Sequence, residues 1–105
     1  MSFEITELQV IRWAEARGII RNSDSKTQLL KAVSEMGELA DAVIKRDRDA
    51  IIDGIGDVLV CLIVAAAIED VDVKQCLKAA YEEIKDRKGY LNKDGVFIKE
   101  ERIVD

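Results

Sequence analysis

The stretch Ala50-Ile51-Ile52-Asp53-Gly54-Ile55-Gly56-Asp57-Val58-Leu59-Val60-Cys61-Leu62-Ile63-Val64-Ala65-Ala66-Ala67-Ile68 is apolar except for two aspartates set four residues apart. It holds no proline and carries apolar side chains on every side of a helical wheel, which predicts one long helix buried on several sides. Asp53 and Asp57, at i and i+4, share a face of that helix. An unpaired carboxylate in such surroundings costs several kcal/mol, so the pair requires a compensating cation: Lys, Arg or a metal.

Immediately upstream, Leu29, Leu30, Val33, Met36, Leu39, Ala40 and Val43 repeat with the i, i+3, i+4, i+7 pattern of a second amphipathic helix. Ser25 and Gln28 resemble a capping box that opens it, and it runs to about Lys45. Its acids, Glu35, Glu38 and Asp41, fall at i, i+3 and i+6. Taken alone they read as a solvated helix face. If the two helices fold back as an antiparallel hairpin about Asp47 and Arg48, positions equidistant from the turn meet, pairing Glu38 with Asp57 and Asp41 or Ala42 with Asp53. The carboxylates then converge. The competing arrangement is a buried ion pair of Asp53 and Asp57 with Lys31, Lys45 or Arg46. An oxygen-only donor set selects hard cations, Mg²⁺ first and Mn²⁺ as a substitute. Gly37, Gly54 and Gly56 each cost roughly 1 kcal/mol against Ala inside a helix, and their place beside the acids points to close helix approach or ligand access.

The remainder of the 105-residue chain reads as helix with a short extended tail. Helix one is expected over Phe3 to Arg17 with Gly18 as its left-handed stop, and a further helix, capped by Asp70 or by Asp72 with Gln75, turns Val73, Leu77, Ala80, Tyr81 and Ile84 inward before Gly89 ends it. Asp94-Gly95 between β-compatible segments predicts a small hairpin or arm. The fold class is therefore all-α, a helical bundle in a single domain over 1–105. A chain this small leaves the third helix undercovered, so self-association is expected.

Composition narrows the function. A net charge of −5 disfavours a general binder of nucleic-acid polymer, and the absence of histidine excludes imidazole chemistry. Cys61 and Cys76 form no CxxC or Cys/His grouping, so a thiolate metal site is not expected. No signal-peptide pattern opens the chain, and the run Val58 to Ile68, at 11 residues, is shorter than the roughly 20 that cross a bilayer. A cytoplasmic protein without a membrane partner is the expectation.

Glu35-Met36-Gly37-Glu38 followed by Leu39-Ala40-Asp41, and then Gly56-Asp57-Val58-Leu59, resembles the MazG-like all-α nucleoside triphosphate pyrophosphohydrolases, whose signature is ExxE on one helix and ExxD on the next. The resemblance runs from Gln28 through the fourth helix, and Ile84-Lys85-Asp86-Arg87-Lys88-Gly89 with Asn92 and Gly95-Val96-Phe97 resembles the ends of phage-type members. One departure stands out: Gly54 occupies the place of the usual Glu, and Asp53, one position earlier, is the candidate to take that role.

The resemblance implies a four-helix unit assembled as a homodimer or homotetramer. It also implies cleavage of a nucleoside triphosphate between the α and β phosphates, giving the monophosphate and pyrophosphate, with Mg²⁺ held by Glu35, Glu38, Asp53 and Asp57. Glu38, ahead of Glu35, is the candidate general base. Lys85, Arg87 and Lys88 are candidates to bind the β and γ phosphates, or serve only as favourable cations at a helix C-terminus. Trp13 either stacks on a nucleobase or belongs to the core. Asn22, Gln28 and Lys31 lie where the family's substrate pocket approaches the second helix. A capping role for Gln28 and a Lys31–Glu35 salt bridge account for two of them equally well. Phosphoribosyl-ATP pyrophosphohydrolysis is the alternative within the superfamily, and a noncatalytic helical oligomerisation module is the alternative outside it.

Overall fold

The computed structural model describes residues 2–100. Five helices and one hairpin follow in order: α1 (Phe3–Ala16), α2 (Ile19–Asn22), α3 (Ser25–Lys45), α4 (Arg48–Ile68), α5 (Val73–Ile84), β1 (Gly89–Leu91) and β2 (Phe97–Lys99). The all-α expectation holds, with α2 as one extra turn. Its last two residues, Arg21 and Asn22, belong to the polar stretch Arg21-Asn22-Ser23-Asp24 that precedes α3. Gly18, with φ 75°, both ends α1 and begins α2, and the Asn22 side chain donates back to the Gly18 carbonyl at 2.9 Å.

The start of α3 corrects the expected capping box by one residue. Asp24 is the cap, its carboxylate accepting from the Thr27 N–H at 2.7 Å, while the Gln28 amide donates to Ser23 Oγ at 3.1 Å. A side-chain oxygen one residue ahead of the first helical position satisfies an otherwise orphaned N–H, which a residue already inside the helix does less well. At the other end Arg46 takes a left-handed conformation, φ 56°, and Asp47 caps α4 by accepting from the Ala50 N–H at 3.2 Å. Only Arg46 and Asp47 separate the two long helices. They form the antiparallel hairpin that the acid spacing requires.

The chain divides into two compact units, Met1–Val73 and Lys74–Asp105. In the first, α4 packs most extensively on α3 and is crossed by α1 and α2. The core is small-residue and aliphatic: Ala14 from α1, Ala32 and Ala42 from α3, and Cys61, Ile63, Val64 and Ala65 from α4 are buried. At Gly54, α3 and α4 approach closely, for a Cβ placed there would meet Leu39 Cδ1 at 3.1 Å and Leu39 Cβ at 3.2 Å. Around Gly37 and Gly56 there is open space instead. Of the three glycines beside the acids, one tightens the helix pair and two do not.

A second link closes the far end of the hairpin. Ser25 Oγ donates to Glu69 Oε2 at 2.7 Å, joining the first turn of α3 to the residue that caps α4. With 21 residues and a mean hydropathy of 2.4 over its most apolar window, α4 is long and apolar enough to cross a membrane. It packs on α1 and α3 and carries two aspartates in its first half. Its outer side remains open: Ile52, Ile55, Leu59 and Leu62 are exposed, as are Leu30, Val33 and Ile44 of α3.

In the second unit, Leu77, Tyr81 and Ile84 of α5, expected on an inner face, are exposed. The helix stops at Ile84, five residues before Gly89, and Gly89 instead opens β1. The predicted hairpin forms with Gly89 opposite Lys99, Tyr90 opposite Ile98 and Leu91 opposite Phe97. Phe97 and the Ile98 carbonyl crowd the hydrogen side of Gly89, so no side chain fits at position 89.

Candidate metal centre

Glu35 sits on the edge of the α3 face that meets α4, half-buried, and Asp57 sits half-buried on the facing side of α4. The helical pitch puts Glu38 one turn along from Glu35 and open to solvent, and Lys31 one turn back. The Glu35 carboxyl holds its proton above the usual carboxylate range. Desolvation is the main cause, followed by the Glu38 charge, a hydrogen bond in which protonated Glu35 donates to Glu38, and the Asp57 charge from across the helix pair. Lys31 pulls the other way and is outweighed.

Three acids and one lysine are thus brought together. Like charges held near one another raise the proton affinity of the most desolvated of them, here Glu35. Cys61, one turn beyond Asp57 and buried, belongs to the same neighbourhood. Burial raises its thiol, Lys31 lowers it, and Glu35 and Asp57 raise it again. Nothing in the Cys spacing marks that residue; its distance of four from Asp57 is the only signal.

The fit to Mg²⁺ rests on donor chemistry. Glu35, Glu38 and Asp57 offer hard oxygens only, and their mutual repulsion is what a divalent cation relieves. They stand near one another without being drawn into one coordination sphere: among the described residues no three His, Cys, Asp or Glu side chains are grouped closely enough to ligate a single ion. Asp53 is exposed, one turn before Asp57, and is not among the charges that act on Glu35. The anticipated ion pairs of the two aspartates with Lys45 or Arg46 are absent from the described residues; Lys45 instead pairs with Asp41 at 2.9 Å.

The remaining expected site residues disperse. Asn22 and Gln28 spend their amides on the local bonds already described. Trp13 is not core: it is 44% exposed, the Arg17 guanidinium lies 5.0 Å from its ring centroid, and it lines a mostly apolar groove with Thr6, Gln9, Val10 and Val60. Thr6 and Gln9 escape a reading of sequence alone, although their spacing of seven and four from Trp13 places all three along one side of α1. Lys85, in the second unit, pairs with Glu82 at 2.7 Å, and Arg87 and Lys88 follow it beyond the end of α5.

Comparison with known proteins accords with this arrangement. The profile of the MazG nucleotide pyrophosphohydrolase domain matches residues 23–91, which take in α3, α4, α5 and β1. An uncharacterized 18.2 kDa protein in the rep-hol intergenic region of Haemophilus phage HP1 (strain HP1c1) is 36% identical over 61 residues, covering 58% of this chain and 37% of the phage protein. The chain therefore spans well under half the length of that relative. No solved structure matches it. With more than half of its length matched, and the paired carboxylates inside the match, the chain belongs to the MazG nucleotide pyrophosphohydrolase domain family.

Proposed function

We propose that the chain hydrolyses nucleoside triphosphates between the α and β phosphates, releasing pyrophosphate, in a Mg²⁺-dependent reaction for which Mn²⁺ substitutes. The observation that supports it most is the raised proton affinity of Glu35, due first to desolvation and then to Glu38 and Asp57, on the two helices that the family profile covers. Glu35, Glu38 and Asp57 would hold the cation, with Asp53 on the solvent side of Asp57. When bound, Mg²⁺ neutralises phosphate charge and acidifies a water.

The chain's own groups do the rest. Glu38, open to solvent where Glu35 is half-buried, takes the proton from the attacking water. Lys31 adds positive charge on the same side, where the triphosphate arrives. Trp13, with Thr6 and Gln9 beside it, offers a ring face and two hydrogen-bonding side chains to the base. The exposed apolar residues of α3 and α4 form a face broad enough to favour a homodimer or homotetramer. Two free cysteines suit a reducing cytoplasm.

The test is pyrophosphate release across a panel of canonical and modified triphosphates, with phosphoribosyl-ATP included, in Mg²⁺ and in Mn²⁺. Release that requires the metal and is lost in Glu38→Ala is the expected result. A folded protein that releases none from any substrate, and whose stability ignores Mg²⁺, is instead the helical oligomerisation module.

A further inference from the structure

Between α1 and α4, the groove that Trp13 lines continues past Thr6, Val10 and Val60 into a trough of about 460 Å³, a volume that suits a small molecule. Phe3, Leu59 and Ile63 give it apolar walls. Two of its lining residues do not suit a merely structural groove. Glu7 is the one buried charged residue among the described residues, at 5% exposure, and it lies outside the carboxylates assigned to the cation. Gly56 stands in the interior of α4, where glycine weakens a helix, yet a Cβ at that position would meet open space. No packing neighbour requires that glycine. Its missing side chain keeps the trough open one residue before Asp57.

A carboxylate in an apolar slot accepts hydrogen bonds and donates none, so the ligand it selects has apolar faces and an edge of N–H groups. Guanine presents its N1–H and 2-amino N–H side by side, matching the two carboxylate oxygens. Adenine and cytosine set a ring-nitrogen acceptor beside the amino group, and uracil flanks its N–H with two carbonyls, so one carboxylate oxygen is repelled in each case. We propose that Glu7 determines base specificity by accepting from the N1–H and 2-amino group of a guanine base that lies over Gly56. Glu7 already has an interaction within the chain, and a carboxylate accepts at about four positions, so two further bonds fit. Because Gly56 and Asp57 are consecutive, a base over the one leaves its phosphates within reach of a cation held at the other. The triphosphate rests on the pyrophosphohydrolase reading; the choice of base does not.

Titration of the full-length, ¹⁵N-labelled chain with guanosine in excess EDTA tests base recognition apart from hydrolysis. The readouts are the Gly56 amide shift and the fluorescence of Trp13, the sole tryptophan. Saturable binding is expected, with inosine, which lacks the 2-amino group, about tenfold weaker and uridine weaker still. Glu7→Gln should erase the difference between guanosine and inosine, and Gly56→Leu should block both without loss of helix content. In pyrophosphate release, kcat/KM for guanosine triphosphate should exceed that for inosine triphosphate by the same factor. Equal affinity for guanosine and inosine, a guanosine preference that survives Glu7→Gln, or no binding of either nucleoside would each overturn the proposal. If Glu7→Gln does not fold, the inosine and Gly56→Leu arms decide. Guanosine binding without pyrophosphate release from any triphosphate refutes the hydrolase reading and leaves Glu7 as the reader of the base.

Discussion

Gly54 and Leu39 are in contact across the α3–α4 interface so closely that a methyl group on Gly54 would stand 3.2 Å from the Leu39 Cβ. Leu39 cannot move that atom without moving its helix. Gly54→Val is therefore expected to destabilise the protein by about 2 kcal/mol through overpacking, measured by urea denaturation. Gly37→Ala and Gly56→Ala, with open space around them, should gain up to about 1 kcal/mol from helix propensity. Equal effects at all three positions would mean that the interface is looser than this contact implies.

Glu35 makes the metal-free protein lose stability as pH rises through the folded value of its carboxyl. Its folded proton affinity exceeds that of the unfolded chain, so in the window between the two the folded state holds more protons. Stability should then fall as pH rises from about 4 through the folded value. Melting curves at stepped pH check this. Glu35→Gln should flatten the slope and raise the melting temperature while abolishing hydrolysis, and Mg²⁺ should flatten it in the wild type.

The carboxylates are expected to rank by position. Glu38→Ala and Asp57→Ala should each lower Mg²⁺ affinity by about tenfold to a hundredfold in calorimetric titration, in line with the loss of a ligand or its support. Asp53→Ala, removing an exposed acid outside the set of charges that Glu35 feels, should lower it less. An Asp53 variant as defective as the Asp57 variant would place Asp53 in the coordination sphere.

Asp24 supplies the opposite pH signature. Hydrogen bonds from Thr27 hold its carboxyl below the ordinary range, with Lys26 adding a smaller pull. Its stabilising effect is present above the unfolded value and disappears as pH falls through the folded one. Asp24→Ala should lower the melting temperature at neutral pH and make no difference in strong acid, whereas Asp24→Asn keeps most of the cap.

The α3–α4 hairpin is legible because an amphipathic helix and an all-round apolar one flank a short charged turn. Helix α2 is not legible, since Arg21, Asn22 and Ser23 carry loop-forming composition and their turn depends on Gly18 and on the Asn22 side chain returning to it. The α3 cap is displaced by one because Ser25 and Asp24 are both good capping types and only the backbone angles choose between them. Helical spacing within the hairpin suffices to bring the charges of Glu38 and Asp57 to bear on Glu35. It does not suffice for Asp53, where about 40° of rotation from Asp57 separates a half-buried carboxylate from an exposed one. The neighbours of Trp13 depend on how α1 crosses α4, which no local pattern encodes.

The Ser25–Glu69 bond gives the acid site an unusual mechanical setting. With the short Arg46-Asp47 link at one end and this clasp at the other, α3 and α4 behave as a beam held at both supports, and the carboxylates lie along its span. Hinging the helices apart would strain the short link or break the Ser25–Glu69 bond, which favours gathering the carboxylates without it. The gathering then comes from side-chain torsions, so metal binding should register as lost rotamer freedom in Glu35, Glu38 and Asp57 while the spacing of the two helices stays as it is.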